Sequence, residues 1–215
     1  MMLATGYPLR EYRRLVAAED RKGLARFLKH RFEERYVTPM SGPGVAAFPK
    51  AGLSCMLLEA LECFRKGEGL TPEGQSRAYF TASLGSHKPF TKLAKYEKTH
   101  YVDFLARRAV ARKQNLPDRS VPDYTIYSGV RCGILHQGET TAGWRLRKDV
   151  PEFDPELRVL NAHWFQRETT LALGAYCHQL TKARWEDDPW KHFRAKMDAT
   201  IEHVHEASAT REPEE

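Results

Sequence analysis

The chain has 215 residues, 41% hydrophobic and 29% charged, the balance of a folded chain large enough to bury a core and not that of a disordered one. No apolar run approaches the roughly 20 residues that span a bilayer, and the start, MMLATGYPLREYRR, lacks the apolar stretch of a leader, so a cytoplasmic protein without membrane contact is expected. The net charge of +6 and a pI near 9.1 favour an anionic partner without specifying one.

Residues 9–36 place Leu24, Phe27, Leu28 and Phe32 at helical spacing, which predicts one long helix or two short ones parted near residues 20–23. Residues 38–50 carry Pro39, Gly42, Pro43, Gly44 and Pro49 and read as a loop. A helix over 51–66 follows, with Leu53, Met56, Leu57, Ala60, Leu61 and Phe64 as one apolar stripe, Glu59 beside it and Glu62 opposite. The glycines of RKGEG stop it, and Thr71 with Pro72 starts the next helix, through residues 76–84. Residues 86–114 are helical in composition, broken near Pro89, and end in the basic cluster Arg107, Arg108, Arg112 and Lys113 before a loop over 116–122.

Pro122 and Asp123 open another helix, in which Ile126, Tyr127, Val130 and Ile134 recur at three and four, and Gly138 stops it. In Trp144, Arg145, Leu146 and Arg147 apolar and basic residues alternate, as in a short strand; residues 149–156 turn and 158–162 return, a small β-hairpin. Helical period resumes over 163–182 through Phe165, Leu171, Leu173, Tyr176 and Leu180. Asp188 and Pro189 begin a last helix to about residue 206, leaving 207–215 as a flexible tail. The sum is a mainly α fold, one helical domain over residues 1–206 with a small hairpin. Cys55, Cys63, Cys132 and Cys177 form no CxxC pair and read as free thiols.

The most informative segment is YTIYSGVRCGILHQGETTAGW, residues 124–144, which sets Arg131 and His136 near the end of an apolar helix. A guanidinium holds a phosphate through two hydrogen bonds, and an imidazole gives or takes a proton near neutral pH, so the pair suits phosphodiester chemistry. The bland alternative is a helix-end histidine favoured by the C-terminal dipole beside a solvated arginine. Spacing alone does not decide, because Arg158 and His163 repeat it; that second pair straddles a predicted strand and a helix start and reads as coincidence.

The stretch RCGILHQGET, in a helix that follows others, resembles the HEPN superfamily, four- or five-helix domains with an R-x4-6-H motif near the end of a late helix. The run from LLEALECFRKG through GETTAGWRLR is similar to a bacterial group of HEPN-like proteins, over residues 24–180. The resemblance implies a HEPN-like helical bundle and a metal-independent endoribonuclease with Arg131 and His136 as its catalytic pair. It also implies a homodimer through the motif helix, RNA as partner, and a setting in prokaryotic defence or toxin-antitoxin control, with a protein regulator or antitoxin. The alternative it leaves open is a non-catalytic HEPN module that binds RNA, a nucleotide or a protein. Cys132 stands where the family often has Asn, Asp or another polar residue.

Residues five apart on an ideal α-helix point about 140° from one another, so Arg131 and His136 of one chain are not expected to converge. Two chains about a two-fold axis would supply two imidazoles, one base and one acid. Glu59 either orients Arg131 or His136 by hydrogen bonding or is an ordinary surface glutamate; Gln137 and Glu139 sit beside His136 and either tune it or, for Glu139, only bind the adjacent basic hairpin. Arg145, Arg147 and Lys148 form a second basic cluster, which contacts an RNA backbone or simply faces water. Trp144 either stacks on a base or packs the hairpin on the helices, the second being expected. With no HExxH, no GxGxxG and no P-loop, neither a metal nor a cofactor is expected.

Overall fold

The chain doubles back at once: β1 (Met2–Ala4) pairs antiparallel with β2 (Tyr7–Pro8) through Gly6, whose φ of +76° favours glycine. In this computed structural model residues 1–42 and 44–209 are described, with side chains through residue 204. Helices α1 (Leu9–Ala17) and α2 (Arg21–Phe32) follow, so the two-helix alternative holds, and Asp20 caps α2 by accepting the Gly23 N–H at 2.9 Å.

The helical path then continues beyond Tyr36, π-helical over Glu33–Val37 and α-helical in α3 (Thr38–Ser41), and α4 (Ala47–Lys66) begins before residue 51. The loop expected over 38–50 therefore shrinks to the link between α3 and α4. Pro49 lies in the first turn of α4, where the N–H it lacks has no helical partner to lose, while Pro39 follows directly on the π-helical turn. Pro43 lies outside the described residues.

Beyond the left-handed Gly67 come α5 (Ser76–Gly85), a 3-10 turn (Lys88–Phe90) at the expected break, and α6 (Thr91–Lys113). The motif helix is π-helical over Tyr127–Cys132 and then α7 (Gly133–Gln137). Two long helices, α8 (Ala162–Lys182) and α9 (Asp188–Ala209), complete a mainly helical fold. α9 runs a little past residue 206, and residues 210–215 of the expected tail lie outside the described residues. Among the described residues no helix is long and apolar enough to cross a membrane.

α4 is the axis of the molecule. One side carries Leu57, Leu61 and Phe64 into a core with Leu28 of α2, Tyr176 of α8 and Phe193 of α9. The other side puts Cys55 and Leu58 against Phe80 of α5, Leu93 of α6, Ile126 and Val130. Leu57, Leu58 and Leu61 are each 0% exposed, a burial that stabilises by roughly 2 kcal/mol per side chain. Of the twelve buried residues of α4 only Leu57, Leu61 and Phe64 belong to the single stripe read from sequence, and its Met56 is 42% exposed. Glu62 does not face solvent: it is buried and ion-paired with Arg65 at 3.4 Å and Lys66 at 3.9 Å. A helix packed on two sides has no single polar face for a pattern to reveal.

The expected hairpin is corrected to a three-stranded sheet of order β3-β5-β4. β3 (Arg145–Arg147) lies parallel to β5 (Val159–Asn161), while β4 (Phe153–Asp154), inside the expected turn, pairs antiparallel with β5. Alternation marks a strand but not its direction. The tight turn belongs to β4 and β5, where Asp154 accepts the N–H groups of Glu156 and Leu157, both at 2.9 Å. Asn161 then joins sheet to helix: its amide donates to the Val150 carbonyl at 2.6 Å, and its oxygen caps α8 at the N–H of His163 and Trp164.

Candidate functional site

The start of the motif helix is held from outside it. Glu97 of α6, 1% exposed, accepts the N–H of Ile126 at 2.8 Å and of Tyr127 at 3.2 Å, so a carboxylate from another helix does the work of a cap. Arg77 of α5 bonds Glu97 at 3.1 Å, Thr125 at 2.7 Å and Asp123 at 2.6 Å, with its guanidinium between the rings of Tyr101 and Tyr127. Asp123, read as the helix opener, bonds Thr125 at its backbone N–H and hydroxyl.

Burial pushes the Glu97 carboxyl up to about 7, against the Arg77 charge and the two N–H groups. A folded value above the unfolded one means that the folded chain binds the extra proton between them. This contribution is full below pH ~4.5 and lost as pH rises through about 7. Urea unfolding from pH 5 to pH 8 is expected to show wild type losing stability relative to Glu97→Gln; parallel curves would refute the shift.

Along the motif helix, i→i+5 bonding widens the turn over Tyr127–Cys132. From Gly133 the path to His136 is α-helical again, yet the expectation that the pair diverges is corrected: the long Arg131 side chain brings its Nη1 within 3.5 Å of His136 Nε2. Glu59 of α4 orients the arginine, with Nε donating to Oε1 at 2.6 Å and Nη2 to Oε2 at 3.1 Å. This occupies one edge of the guanidinium and leaves the Nη1–Nη2 end, which still offers N–H donors for a second bidentate contact. Burial acts to lower the Arg131 pKa, and the bonds and charge of Glu59 overcome it, so the net shift is upward and the charge is permanent.

Glu59 is thus buried and engaged, not an ordinary surface residue. Glu59→Gln replaces one acceptor by a donor that faces the guanidinium. Hydrogen bonds to charged groups are worth about 2 kcal/mol, so a loss of that size is expected in urea unfolding, and an unchanged midpoint would show that Glu59 does not hold Arg131.

His136 is exposed at the helix end, just before Gly138 with its φ of +71°. Cys132 is half-buried, its Sγ 3.9 Å from Arg131 Nη1, so it contacts the pair as a neighbour of the arginine. Gln137 and Glu139 are exposed, and among the described residues neither bonds His136. Two glycines that the sequence reading passed over shape the site. Gly129 and Gly133 let the returning chain lie on the helix, with Thr141 N–H donating to the Gly129 carbonyl at 2.8 Å and Glu139 N–H to that of Gly133 at 3.4 Å. Their spacing of four was the available signal. Trp144 is 2% exposed and donates its indole N–H to the Tyr124 carbonyl at 2.9 Å, so it packs and cannot stack on a base.

The basic clusters are more neutralised than their composition suggests. Arg145 bonds the Leu157 carbonyl at 3.3 Å and Arg147 pairs with Asp149, while Lys148 is exposed and without a bond among the described residues. Arg107 pairs with Asp103 at 2.8 Å. Arg108 and Arg112 share Asp118, and their hydrogen bonds hold its carboxyl well below the usual carboxylate range. The second R-x4-H pair does not assemble: the Arg158 guanidinium stacks 4.4 Å from the Tyr124 ring, while His163 is exposed in the first turn of α8. Among the described residues no three His, Cys, Asp or Glu side chains are grouped to hold a metal ion. Compared with family models, curated proteins and solved structures, the chain matches none.

Proposed function

We propose that the chain is a metal-independent endoribonuclease of HEPN type. The observation that carries this reading is the Glu59–Arg131–His136 array, in which a buried carboxylate fixes a permanent cation beside an exposed imidazole. In this reaction the RNA 2′-oxygen bonds to the adjacent phosphorus as its proton passes to one imidazole, and the bond from phosphorus to the 5′-oxygen breaks as that oxygen is protonated by another. The products are a 2′,3′-cyclic phosphate and a 5′-hydroxyl. The open end of Arg131 holds the non-bridging oxygens and stabilises the charge gathering on them.

One imidazole cannot be base and acid at the same moment, so the reading includes a homodimer about the motif helix, with His136 of the partner subunit as the second group. It also includes a cytoplasmic setting in prokaryotic defence or toxin-antitoxin control, under a protein regulator. The rival is a non-catalytic module for RNA, a nucleotide or a protein. What favours the rival is that a single chain offers one motif imidazole and that most of the nearby arginines are already engaged.

The test is cleavage of a labelled RNA pool in EDTA with end-group analysis. Wild type and the control His163→Ala should leave cyclic phosphate ends, and Arg131→Ala and His136→Ala should not. Equal inactivity of all four, with RNA binding retained, establishes the binding module instead.

A further inference from the structure

Between α2, α9 and the turn that follows α4 lie two adjoining cavities of about 630 Å³ and 120 Å³, which share Arg31, Arg35, Lys196 and Thr200 as walls. Both differ in place and lining from the Arg131 and His136 array. Arg31 is 8% exposed, Lys196 half-buried and Arg35 at the mouth. Buried cations ordinarily come with carboxylates. Here the described partners are backbone carbonyls: Leu3 for both arginines, and Gly69 for Lys196.

Nearby carboxylates do not fill the gap. Glu34, whose charge reaches Arg31, bonds the N–H and hydroxyl of Thr5 at 3.0 Å and 2.9 Å, and Glu202 on the rim makes no ion pair with the three among the described residues. The cations also work against one another. Burial lowers Arg31 to about 10 and Arg35 adds to the shift; burial likewise lowers Lys196, with Arg31 adding to it. The inner cavity is backed by Phe32, Tyr36 and Phe64, and the outer one by Leu70 and Ala199. The combined space is of the size that holds small ligands, with a few converging charges among apolar walls.

We infer that this is a binding site for a small phosphate ester, its phosphate seated among Arg31, Arg35 and Lys196 and its organic part in the outer cavity. Three converging cations match a phosphate dianion better than a single carboxylate, and planar guanidinium groups suit its oxygens. A second basic groove, lined by Lys22, Arg26 and Lys29 between α2 and α8, makes a useful contrast, because its Lys29 is already paired with Glu33 at 3.6 Å.

The test is calorimetric titration of the full chain with phenyl phosphate and with inorganic phosphate. Phenyl phosphate should bind once per chain and more tightly than inorganic phosphate. Arg35→Gln, at the mouth and safe for folding, and Lys196→Gln should each weaken it about tenfold, with Arg26→Gln unchanged. No saturable binding in the millimolar range, or equal weakening by Arg26→Gln, would overturn the site. Inorganic phosphate binding as tightly as the ester would overturn the organic ligand. A short RNA that loses affinity in parallel with phenyl phosphate on Arg35→Gln would transfer the cations to a nucleic-acid backbone and overturn the small-molecule assignment.

Discussion

His136→Ala is expected to lower RNA cleavage by about 10²- to 10⁴-fold while leaving the melting temperature of the chain unchanged. The two halves follow from different facts. The size is what a positioned acid or base contributes, and loss from both protomers of a dimer removes both groups at once, which sets the effect toward the upper end. The neutrality follows from exposure: His136 lies at a helix end and packs in neither core. A large fall in melting temperature would assign the residue a structural part, and cleavage at the wild-type rate would remove it from the reaction. Mixing wild type with an excess of His136→Ala adds a sharper readout. A site that needs an imidazole from each chain loses activity in the mixed dimers, which keep only one, whereas a strictly single-chain site leaves the wild-type protomer as active as before.

Gly129→Ala is the substitution expected to damage the fold most. A methyl there would overlap Trp144 Cδ1 and lie 3.0 Å from the Thr141 carbonyl oxygen. The indole has no room to retreat, being 2% exposed, bonded at Nε1 to Tyr124 and set edge-on to Tyr96 at 5.7 Å. Overpacking costs about 1–3 kcal/mol and loss of the indole bond about 1 more. A total near 3 kcal/mol would lower the melting temperature by roughly 6–12 °C in a chain of this size. Gly174→Ala on α8 is the control, since a Cβ there meets nothing within 4 Å. It should stabilise by up to about 1 kcal/mol through helix propensity. Equal effects of the two substitutions would show that the close approach at Gly129 is not what limits the site.

Much of this was legible because apolar spacing survives in the sequence. The helices of α2, α4, α6, α8 and α9, the stop at Gly138 and the place of Glu59 beside a buried stripe all follow from residue period and helix punctuation. What escaped depends on partners distant in sequence or on backbone geometry that composition does not encode. Glu97 caps a helix that begins 29 residues later. The π-helical turn over Tyr127–Cys132 has no signature in YSGVRC that separates it from an α-turn, and the contact of Arg131 with His136 is made between side chains, which spacing does not encode. Strand direction in the small sheet is set by where residues 148–158 cross, not by the alternation in RLR. The second face of α4 was hidden because Ala51, Cys55 and Leu58 recur outside the chosen stripe, while the buried Glu59 and Glu62 count as polar in a pattern.

The sharing of α4 between two cores has a consequence for motion. Segments open locally at free energies that rise with how much of the core they carry. Glu59, on a helix both cores must release together, therefore belongs to the last part of the chain to open. The Arg131 guanidinium inherits that persistence through two hydrogen bonds. His136 stands at the other extreme, on a five-residue helix whose last three residues are exposed. In amide exchange α4 should be among the slowest segments and the peptide groups around His136 among the fastest. On the proposed reading, phosphate would then meet a fixed arginine, and the positional freedom of the site would reside almost wholly in the imidazole proposed to carry the proton.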